Sequence, residues 1–590
     1  MLITLLNWTY IGITTYIAGF FILERISGPV FGPDRKAGFS ITDRLMCGLF
    51  AITVYAGFFS IFHKVGIAAN IILTALCAAM LISCAKDLLN DLKKRAGEVL
   101  HNPVFILTGL VVFVFTLMYT AEGSFQYDTG LYHAQTIHWL EDYGMVKGLG
   151  LLHFRLAYNS EYFPLCALYS FRDITGGQSL HSMSGYIVMI VCMYSLNGLI
   201  RSFSQKTIMR SSALSDCLRL VPFLGLLAIC LEMTSPETDF VVSFVFYWVC
   251  IRYAVLCEEE QPDPLSFALL SVTAFALIGY KLTAAPALLF VFFSVIDLIK
   301  EKRYGLILLF GSMCLLILLP YLIRNYFVSG WLIYPFDGID IFNVPWKVPL
   351  ETLKGDAGMI TQFAQVGGSR VPEGITMEAL GWLYSWWGVQ HLAPRLFYST
   401  LLLCLVFVLI LLIIGMIKAF RKTLNITPCG KKMTILVFIL LCSLIFWFVK
   451  APLLRYGYHC VLTFPPAVCG SLLGLLYRGR EKQKYHAFWT ILSLAASIVI
   501  FLPTIMSISP ICKFDYEESM ARYDFGAHLI KQVDYPVPET KQIEWHGIKA
   551  YLPVEGDQMW YEPFISSPYS EPYEQLEWFG DDVSDGFYLK

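Results

Sequence analysis

Residues 397–417 read FYSTLLLCLVFVLILLIIGMI, and no charged side chain follows until Lys418. A helix of about 20 apolar residues is long enough to cross the hydrocarbon core of a bilayer, so this segment predicts a membrane-spanning helix. Comparable runs lie on both sides of it along the chain. Together they predict about fourteen spanning helices, which start near Leu2, Leu45, Val65, Pro103, Ser184, Leu220, Phe240, Ser266, Leu282, Tyr304, Phe397, Met433, His459 and Tyr485.

The composition of the whole chain supports a membrane environment. Of its 590 residues, 56% are hydrophobic and only 15% are charged, whereas about a quarter of the residues of a soluble protein are charged. The formal net charge of −2 argues against a general nucleic-acid-binding protein. The 16 cysteines lie mostly within apolar runs and show no metal-ligand spacing. We therefore predict an all-α polytopic membrane protein.

Lysine and arginine residues concentrate in short loops, and loops of this kind usually lie on the cytoplasmic side of a membrane. With the predicted spans, every basic cluster falls on the same side, which supports the order of the helices. The clusters are Lys86–Arg95, Arg201–Arg219, Lys302–Arg303, Lys418–Lys432 and Arg478–Lys484.

This topology divides the chain into membrane segments and outward segments. The last outward segment is acidic and rich in Tyr, Trp and Pro, which is too aromatic for a disordered tail, so we predict a small folded domain there. The segments are 1–120, 184–323 and 397–506 in the membrane, and 121–183, 324–396 and 507–590 outside it.

The first outward loop holds the most informative sequence. From Thr129 to Leu140 the apolar residues recur at helical spacing, which predicts an amphipathic helix lying on the membrane surface. Asp128 stands just before this helix, where it either caps the N-terminus or serves as a functional carboxylate. Glu141 and Asp142 are either functional acids or an ordinary solvated helix end. The same loop contributes further polar candidates, namely His133, His138, Arg155 and Asn159.

Charged residues also stand at the outward ends of later predicted helices. A charge at this depth is costly, so it extends to the interface, pairs with an opposite charge or serves a site. Cations gathered there suit a phosphate or diphosphate, which arginine binds bidentately. In the second outward loop, Arg370 follows two glycines and belongs either to an ordinary loop, which we favour, or to a segment that covers substrate. The candidates at the helix ends are Asp239, Lys281, Arg324, Arg455 and the adjacent Tyr456.

Motifs of the common soluble enzymes are absent from the sequence. It contains no phosphate-binding loop, nucleophile elbow, zinc signature or dinucleotide fingerprint. It also shows no clear internal repeat, which many transporters do show.

Three segments carry a resemblance to known membrane proteins: Tyr127-Asp-Thr-Gly-Leu-Tyr-His, Arg155 with Asn159-Ser160, and Arg324-Asn-Tyr-Phe-Val-Ser-Gly. They resemble an uncharacterised family of large bacterial membrane proteins associated with surface-polysaccharide loci. More broadly, the helices, the acid-bearing first loop and the basic helix ends resemble the GT-C superfamily of membrane glycosyltransferases. The chain departs from that superfamily by placing several helices before the loop and by lacking a second acid beside Asp128.

The resemblance implies transfer of a sugar from a polyprenyl-phosphate-linked donor to a glycan or lipid acceptor. It places the protein in the bacterial inner membrane, with its active site facing the periplasm. In the superfamily an acid of the first outward loop acts as general base or helps to hold a metal, and Asp128 is the matching position. Glu141 or Asp142 is its expected partner, and His133 orients Asp128 or contacts phosphate. A divalent Mg²⁺ or Mn²⁺ is compatible with this role but not required.

On this hypothesis Lys281, Arg324 and Arg455 stabilise the phosphate as it leaves. The other predicted substrate-binding residues are Arg155, Asn159, Asp239, Arg370 and Tyr456. Three alternatives stay open. One is a polymerase that joins lipid-diphosphate-linked repeat units, with its site near Arg370. Another is a transporter or flippase of lipid-linked glycans, and the third is a structural subunit of an envelope assembly.

Overall fold

The computed structural model describes residues 1–31, 39–124, 126–204, 213–258, 263–367, 381–390, 392–421, 428–477, 491, 495 and 528–590. Up to residue 477 these are mostly helices, joined by short turns and two longer loops. The α-helices of this part are α1 (Leu2–Phe31), α2 (Ile41–Phe62), α3 (Ile67–Leu100), α4 (Pro103–Thr120), α5 (Ala134–Asp142), α6 (Leu149–Leu152), α7 (Tyr162–Leu168), α8 (Arg172–Thr175), α9 (Met183–Ser204), α10 (Ala213–Ile229), α11 (Thr238–Glu258), α12 (Pro264–Tyr280), α13 (Leu288–Lys300), α14 (Tyr304–Ser329), α15 (Leu350–Gln365), α16 (Gly381–Gly388), α17 (Leu392–Phe420), α18 (Pro428–Lys450), α19 (Leu454–Val461) and α20 (Phe464–Tyr477).

Within the described chain, eleven helices are long and apolar enough to cross a membrane. They confirm that the chain is an integral membrane protein built on α-helices. Two predicted spans are shorter than expected: α12 has 17 residues, and the span predicted from His459 is divided between α19 and α20. Most of the span predicted from Tyr485 lies outside the described residues, so the number fourteen stays a prediction.

The helices alternate in direction, so residues predicted to lie on one side meet at one end of the bundle. At the end that we call the loop end, the Met1 amine donates to the His528 carbonyl at 2.7 Å. Basic residues gather at the opposite end, where Arg44 pairs with Asp91 at 2.5 Å and Lys432 with Asp297 at 2.5 Å. This separation agrees with the predicted topology, while the compartment that each end faces stays a prediction.

The helix expected on the membrane surface is in fact buried. Residues Thr129–His133 form one turn of π-helix, which we call the π-turn, and α5 continues it. Every residue from Ala134 to Glu141 is buried. The prediction of a surface helix is therefore wrong, because residues 528–590 pack over the face that was expected to meet water or lipid headgroups.

Of the domain predicted over residues 507–590, the structure describes residues 528–590, which lie at the loop end and whose regular structure is mainly strand. Strands β1 (Thr540–Trp545) and β2 (Ile548–Pro553) pair antiparallel, as do β3 (Leu576–Trp578) and β4 (Phe587–Leu589). The turn between β1 and β2 is His546-Gly547, and both residues have positive φ, 49° and 85°, as the tight hairpin turn requires. The short helix α21 (Glu571–Gln575) precedes β3.

This C-terminal domain has no separate core. Its Trp545, Leu576 and Phe587 share one hydrophobic cluster with Trp139 and Leu152 of the first loop. The second loop packs against the first as well, because Trp331 and Val348 cluster with Ala157. The two loops and the C-terminal domain therefore form one layer over the loop end of the bundle.

Candidate functional site

Asp128 lies at the start of the π-turn, and its side chain makes no capping hydrogen bond. One carboxylate oxygen, Oδ2, accepts a hydrogen bond from Arg455 Nη2 at 2.6 Å. The other, Oδ1, lies 3.8 Å from Arg155 Nη1. The helix-capping interpretation of Asp128 is therefore wrong, since both oxygens face arginines instead of the helix backbone.

Arg455 lies in the first turn of α19, where the chain re-enters a helix after Pro452. Its Nε lies 3.7 Å from Glu237 Oε1 and 3.9 Å from Asp239 Oδ2. Both acids stand around the start of α11. The Nε atom is buried and has no hydrogen-bond partner among the described residues, so part of the donor capacity of Arg455 is unused.

Lys281 directly follows the last residue of α12. Its ammonium lies 2.6 Å from Asp239 Oδ2 and 5.3 Å from the centre of the Tyr456 ring. The Tyr456 hydroxyl accepts a hydrogen bond from Arg455 at 3.3 Å. The structure therefore brings together residues from the first loop and from the ends of membrane helices. We call this the charged cluster: Asp128, Arg155, Glu237, Asp239, Lys281, Arg455 and Tyr456.

Arg155 is held only loosely. Its two carboxylate contacts, to Asp128 at 3.8 Å and to Asp356 at 3.9 Å, are both too long for a hydrogen bond. Asp356 lies in α15 of the second loop, is buried, and accepts a hydrogen bond from the Tyr158 hydroxyl. The guanidinium of Arg155 therefore keeps donors available beside Asp128.

Four members of the charged cluster are reachable from solvent. The exposed fractions of the side chains are 16% for Asp128, 22% for Arg455, 24% for Arg155 and 25% for Lys281. Glu237 lies beneath them, at 2%. A ligand that approaches this end of the bundle meets two arginines, a lysine and a carboxylate at once.

The cluster shifts the pKa values of two of its acids in opposite directions. Burial would raise the pKa of Asp128, but Arg455, and to a lesser degree His133 and Arg155, outweigh burial and hold this pKa below its ordinary value. Burial, followed by the neighbouring Glu232, raises the pKa of Glu237 well above its ordinary value. At neutral pH, Asp128 is therefore a carboxylate, whereas Glu237 holds its proton more tightly than an ordinary glutamic acid.

The partners predicted for Asp128 lie elsewhere. Glu141 accepts hydrogen bonds from Ser179 at 2.8 Å and from the Tyr561 hydroxyl, and its burial raises its pKa. Asp142 pairs with Arg172 at 2.5 Å. These contacts join α5 to the rest of the loop end, so the structure gives neither acid a place beside Asp128.

His133 lies next to the charged cluster. It is buried, and its Nδ1 lies 3.2 Å from the Thr129 hydroxyl. Burial lowers the pKa of His133 to about 3, so the ring is neutral at physiological pH. The structure shows no hydrogen bond from it to Asp128 among the described residues.

Two predicted substrate-binding residues are buried away from the cluster. Arg324 Nη1 lies 3.8 Å from Glu161 Oε1, and both side chains are buried. Asn159 donates to the Tyr321 carbonyl at 2.9 Å. Arg370 lies outside the described residues, so its role stays a prediction.

Two acids near the site, Glu237 and Asp356, were not among the predicted site residues. Glu237 stands only two residues before the predicted Asp239, and this proximity was the available signal. Asp356 lies in the second loop, and no local feature of the sequence connects it with Arg155. In the described part of the chain, no group of three or more His, Cys, Asp and Glu side chains is arranged to hold a metal ion, and the predicted divalent cation stays untested.

Comparison with known proteins gives a family but no activity. The family model described as a domain of unknown function (DUF8201) matches residues 1–462. No curated protein and no solved structure matches the chain. The matched part contains the whole charged cluster, whereas the C-terminal domain lies beyond it.

Proposed function

This chain belongs to the DUF8201 family, and we propose that it is a membrane glycosyltransferase of the GT-C type. It moves a sugar from a polyprenyl-phosphate-linked donor to a glycan or lipid acceptor on the periplasmic side of the bacterial inner membrane. One observation carries the proposal. An ionised carboxylate, Asp128, lies between two arginines that have unused donors, at an end of the bundle where a lipid phosphate meets water.

The basic side chains of the cluster suit the phosphate of the donor. Lys281 directly follows the membrane helix α12, and Arg455 lies five residues after the end of α18, so both lie near the depth at which a lipid places its phosphate. A planar guanidinium binds two phosphate oxygens at once, and an ammonium adds a compact charge. Both interactions strengthen as negative charge develops on the departing phosphate.

Phosphate binding also prepares Asp128 for its role. In the structure Arg455 holds the Asp128 pKa low, which makes this carboxylate a weak base. A phosphate that takes over the donors of Arg455 removes the main cause of the lowered pKa, so Asp128 becomes a stronger base when the donor binds. The base is thereby activated at the moment at which it is needed.

The reaction balances on these groups. Asp128 takes the proton of the acceptor hydroxyl, whose oxygen forms a bond to the anomeric carbon of the sugar. The bond from that carbon to the phosphate oxygen breaks, and its electron pair leaves with the phosphate. Arg455 and Lys281 stabilise the departing phosphate.

The test replaces one acid at a time in a deletion strain. Asp128→Asn keeps the size of the side chain but cannot accept the proton, so we expect surface glycan to fall by about 10²-fold or more at an unchanged level of membrane protein. Asp142→Asn is the matched control outside the cluster, and we expect it to retain glycan. Normal glycan with Asp128→Asn would contradict the proposal.

A second assay separates transfer from transport. In detergent no membrane divides two compartments, so a transferase still forms the glycosidic bond whereas a flippase has no measurable activity. We expect the purified protein to transfer sugar from a polyprenyl-linked donor extracted from the host. Restored glycan in cells without any transfer in detergent would favour the transporter alternative.

A further inference from the structure

The C-terminal domain reaches the catalytic side of the molecule through one short segment, residues 557–561, which we call the clamp. The backbone amides of Met559 and Trp560 both donate to the carbonyl of Gly130, each at 2.7 Å. Gly130 is the second residue of the π-turn and lies two positions after Asp128. The clamp therefore binds the backbone of the turn that carries the proposed base.

The clamp also binds the turn on the other side of Asp128. The side-chain amide of Gln558 donates to the Tyr127 carbonyl at 3.0 Å, and the Tyr127 hydroxyl donates to Asp557. The backbone is thus held both before and after Asp128. Between these two held points, the Asp128 side chain is directed at Arg455.

The hydrogen bonds explain why this turn is a π-turn. The amide of Ala134 donates to the Thr129 carbonyl, five residues earlier. In an α-helix that amide would instead donate to the carbonyl of Gly130, which here is occupied by Met559 and Trp560. Isolated π-helical turns are rare and often occur at functional sites. The π conformation leaves the Gly130 carbonyl without its helical donor, and the amides of Met559 and Trp560 donate to it instead.

The fit between clamp and turn is close enough to require glycine. A Cβ at Gly130 would lie 2.7 Å from Trp560 Cε2 and 3.0 Å from Gln558 Nε2. The indole of Trp560 is nearly buried, so it has little room to move. Any larger residue at position 130 therefore has to displace the clamp.

The clamp is itself fixed along α5. The side-chain amide of Gln135 donates to the carbonyls of Trp560 and Tyr561, at 2.9 and 3.1 Å. The His138 ring stacks on Tyr561, with ring centres 4.2 Å apart, and the Tyr561 hydroxyl donates to Glu141. These contacts account for the buried polar face of α5 and give Glu141 a role in holding the clamp.

We propose that residues 557–561 of the C-terminal domain are a positioning element. They hold residues 129–133 in the π-helical conformation and thereby direct Asp128 toward Arg455. The effect of the clamp on catalysis rests on the proposed function, whereas its effect on the conformation of the turn does not. Without the clamp, the Gly130 carbonyl takes back the Ala134 amide and the turn relaxes to an α-helix. An α-helical turn encloses one residue fewer than a π-helical turn, so this change rotates Asp128 away from Arg455.

The clamp is tested in the full-length protein in detergent by hydrogen exchange at the backbone amides of residues 559 and 560, which donate to the Gly130 carbonyl. We expect Gly130→Ala and Trp560→Ala each to speed this exchange roughly tenfold or more, since both separate the clamp from the turn. The double variant should exchange no faster than Trp560→Ala alone, because the indole with which the added methyl group would clash has already been removed. Unchanged exchange, or fully additive effects, would overturn the proposal.

Controls separate the clamp from general damage. Gly358→Ala in α15 adds a methyl group in open space, so exchange at residues 559 and 560 should not change. If Trp560→Ala fails to fold, Gln558→Ala removes one partly exposed hydrogen bond, and the expected rise in exchange is smaller but in the same direction.

Catalysis gives an independent readout. In Gly130→Ala we expect kcat to fall while KM for the lipid donor changes little, because the phosphate-binding cations stay in place. The acid limb of kcat/KM should also move to higher pH, since Asp128 loses the arginine that lowers its pKa. An unchanged kcat and pH profile beside faster exchange would overturn the positioning role. Absence of transfer in the wild type would refute the proposed function, while the exchange experiment would still decide the clamp.

Discussion

Two arginines at comparable positions in the sequence differ in their exposure to solvent. Arg455 and Arg324 both stand at the loop end of apolar helices, and each faces an acid of the first loop. Arg455 lies 2.6 Å from Asp128, and these side chains keep 22% and 16% of their surface exposed. Arg324 lies 3.8 Å from Glu161, where the exposed fractions are 3% and 4%. A basic residue at a helix end therefore indicates an ion pair, but not whether a ligand can reach it.

The difference comes from the helices around each pair. Glu161 lies against two glycines: a Cβ at Gly57 would lie 2.4 Å from Glu161 Oε2, and one at Gly279 would lie 3.2 Å from Glu161 Cγ. The absence of side chains there lets α2 and α12 close over the carboxylate. Burial consequently raises the pKa of Glu161 to about 7, although Arg324 opposes this shift. Asp128 lies under loops and a clamp, which leave one side open.

The largest expected effect breaks the buried pair. Arg324→Met keeps much of the volume of the side chain but leaves the Glu161 carboxylate buried without a counter-charge, so this carboxylate has to stay ionised in an apolar site or take up a proton. We expect the free energy of unfolding to fall by about 3–5 kcal/mol, measured as thermal stability in detergent at pH 8. The double variant Glu161→Gln/Arg324→Met should recover most of this loss. The exposed pair Lys354–Asp337, at 3.7 Å, is the control, and Asp337→Asn should leave stability unchanged.

A somewhat smaller effect, on activity alone, separates the two arginines. Arg455→Leu removes a donor aimed at the departing phosphate, so we expect kcat/KM for transfer to fall by about 10²–10³-fold. Its thermal stability should stay close to that of the wild type, because Asp128 remains partly hydrated. Arg455→Lys should restore only part of the activity. A loss of stability comparable to that of Arg324→Met would show that the two pairs do not differ as proposed.

The pH dependence of stability sharpens the comparison further. The pKa of Glu161 is about 7 in the folded protein and 4.5 in the unfolded chain, so the folded state binds the proton more tightly. The resulting stabilisation is complete below pH 4.5 and is lost as the pH rises through 7. We expect the unfolding free energy to decrease by at most about 3 kcal/mol over this range. Comparison with Glu161→Gln isolates this contribution, because the variant lacks this titration; equal slopes in both proteins would refute it.

Much of the site was foreseeable residue by residue, but its pairing was not. Asp128, Arg155, Asp239, Lys281, Arg455 and Tyr456 were all predicted, and the structure brings all six together. Glu141 and Asp142 were predicted beside Asp128 because they are close in sequence. They lie on the far side of α5, where Tyr561 and Arg172 contact them. Sequence proximity misled the prediction because the π-turn and α5 direct neighbouring side chains to different surfaces.

The sequence by itself determined where the apolar helices lie and which residues stand at their ends. The free energy of transferring a helix into lipid is a sum over the residues of that segment. Residues 397–417 are therefore recognisable as a spanning helix without reference to the rest of the chain. Only the tertiary structure decided that Asp128 meets Arg455, 327 positions away, and that residues 557–561 hold the π-turn. An ion pair depends on which side chains packing brings within about 4 Å, and this distance is set by the arrangement of whole helices.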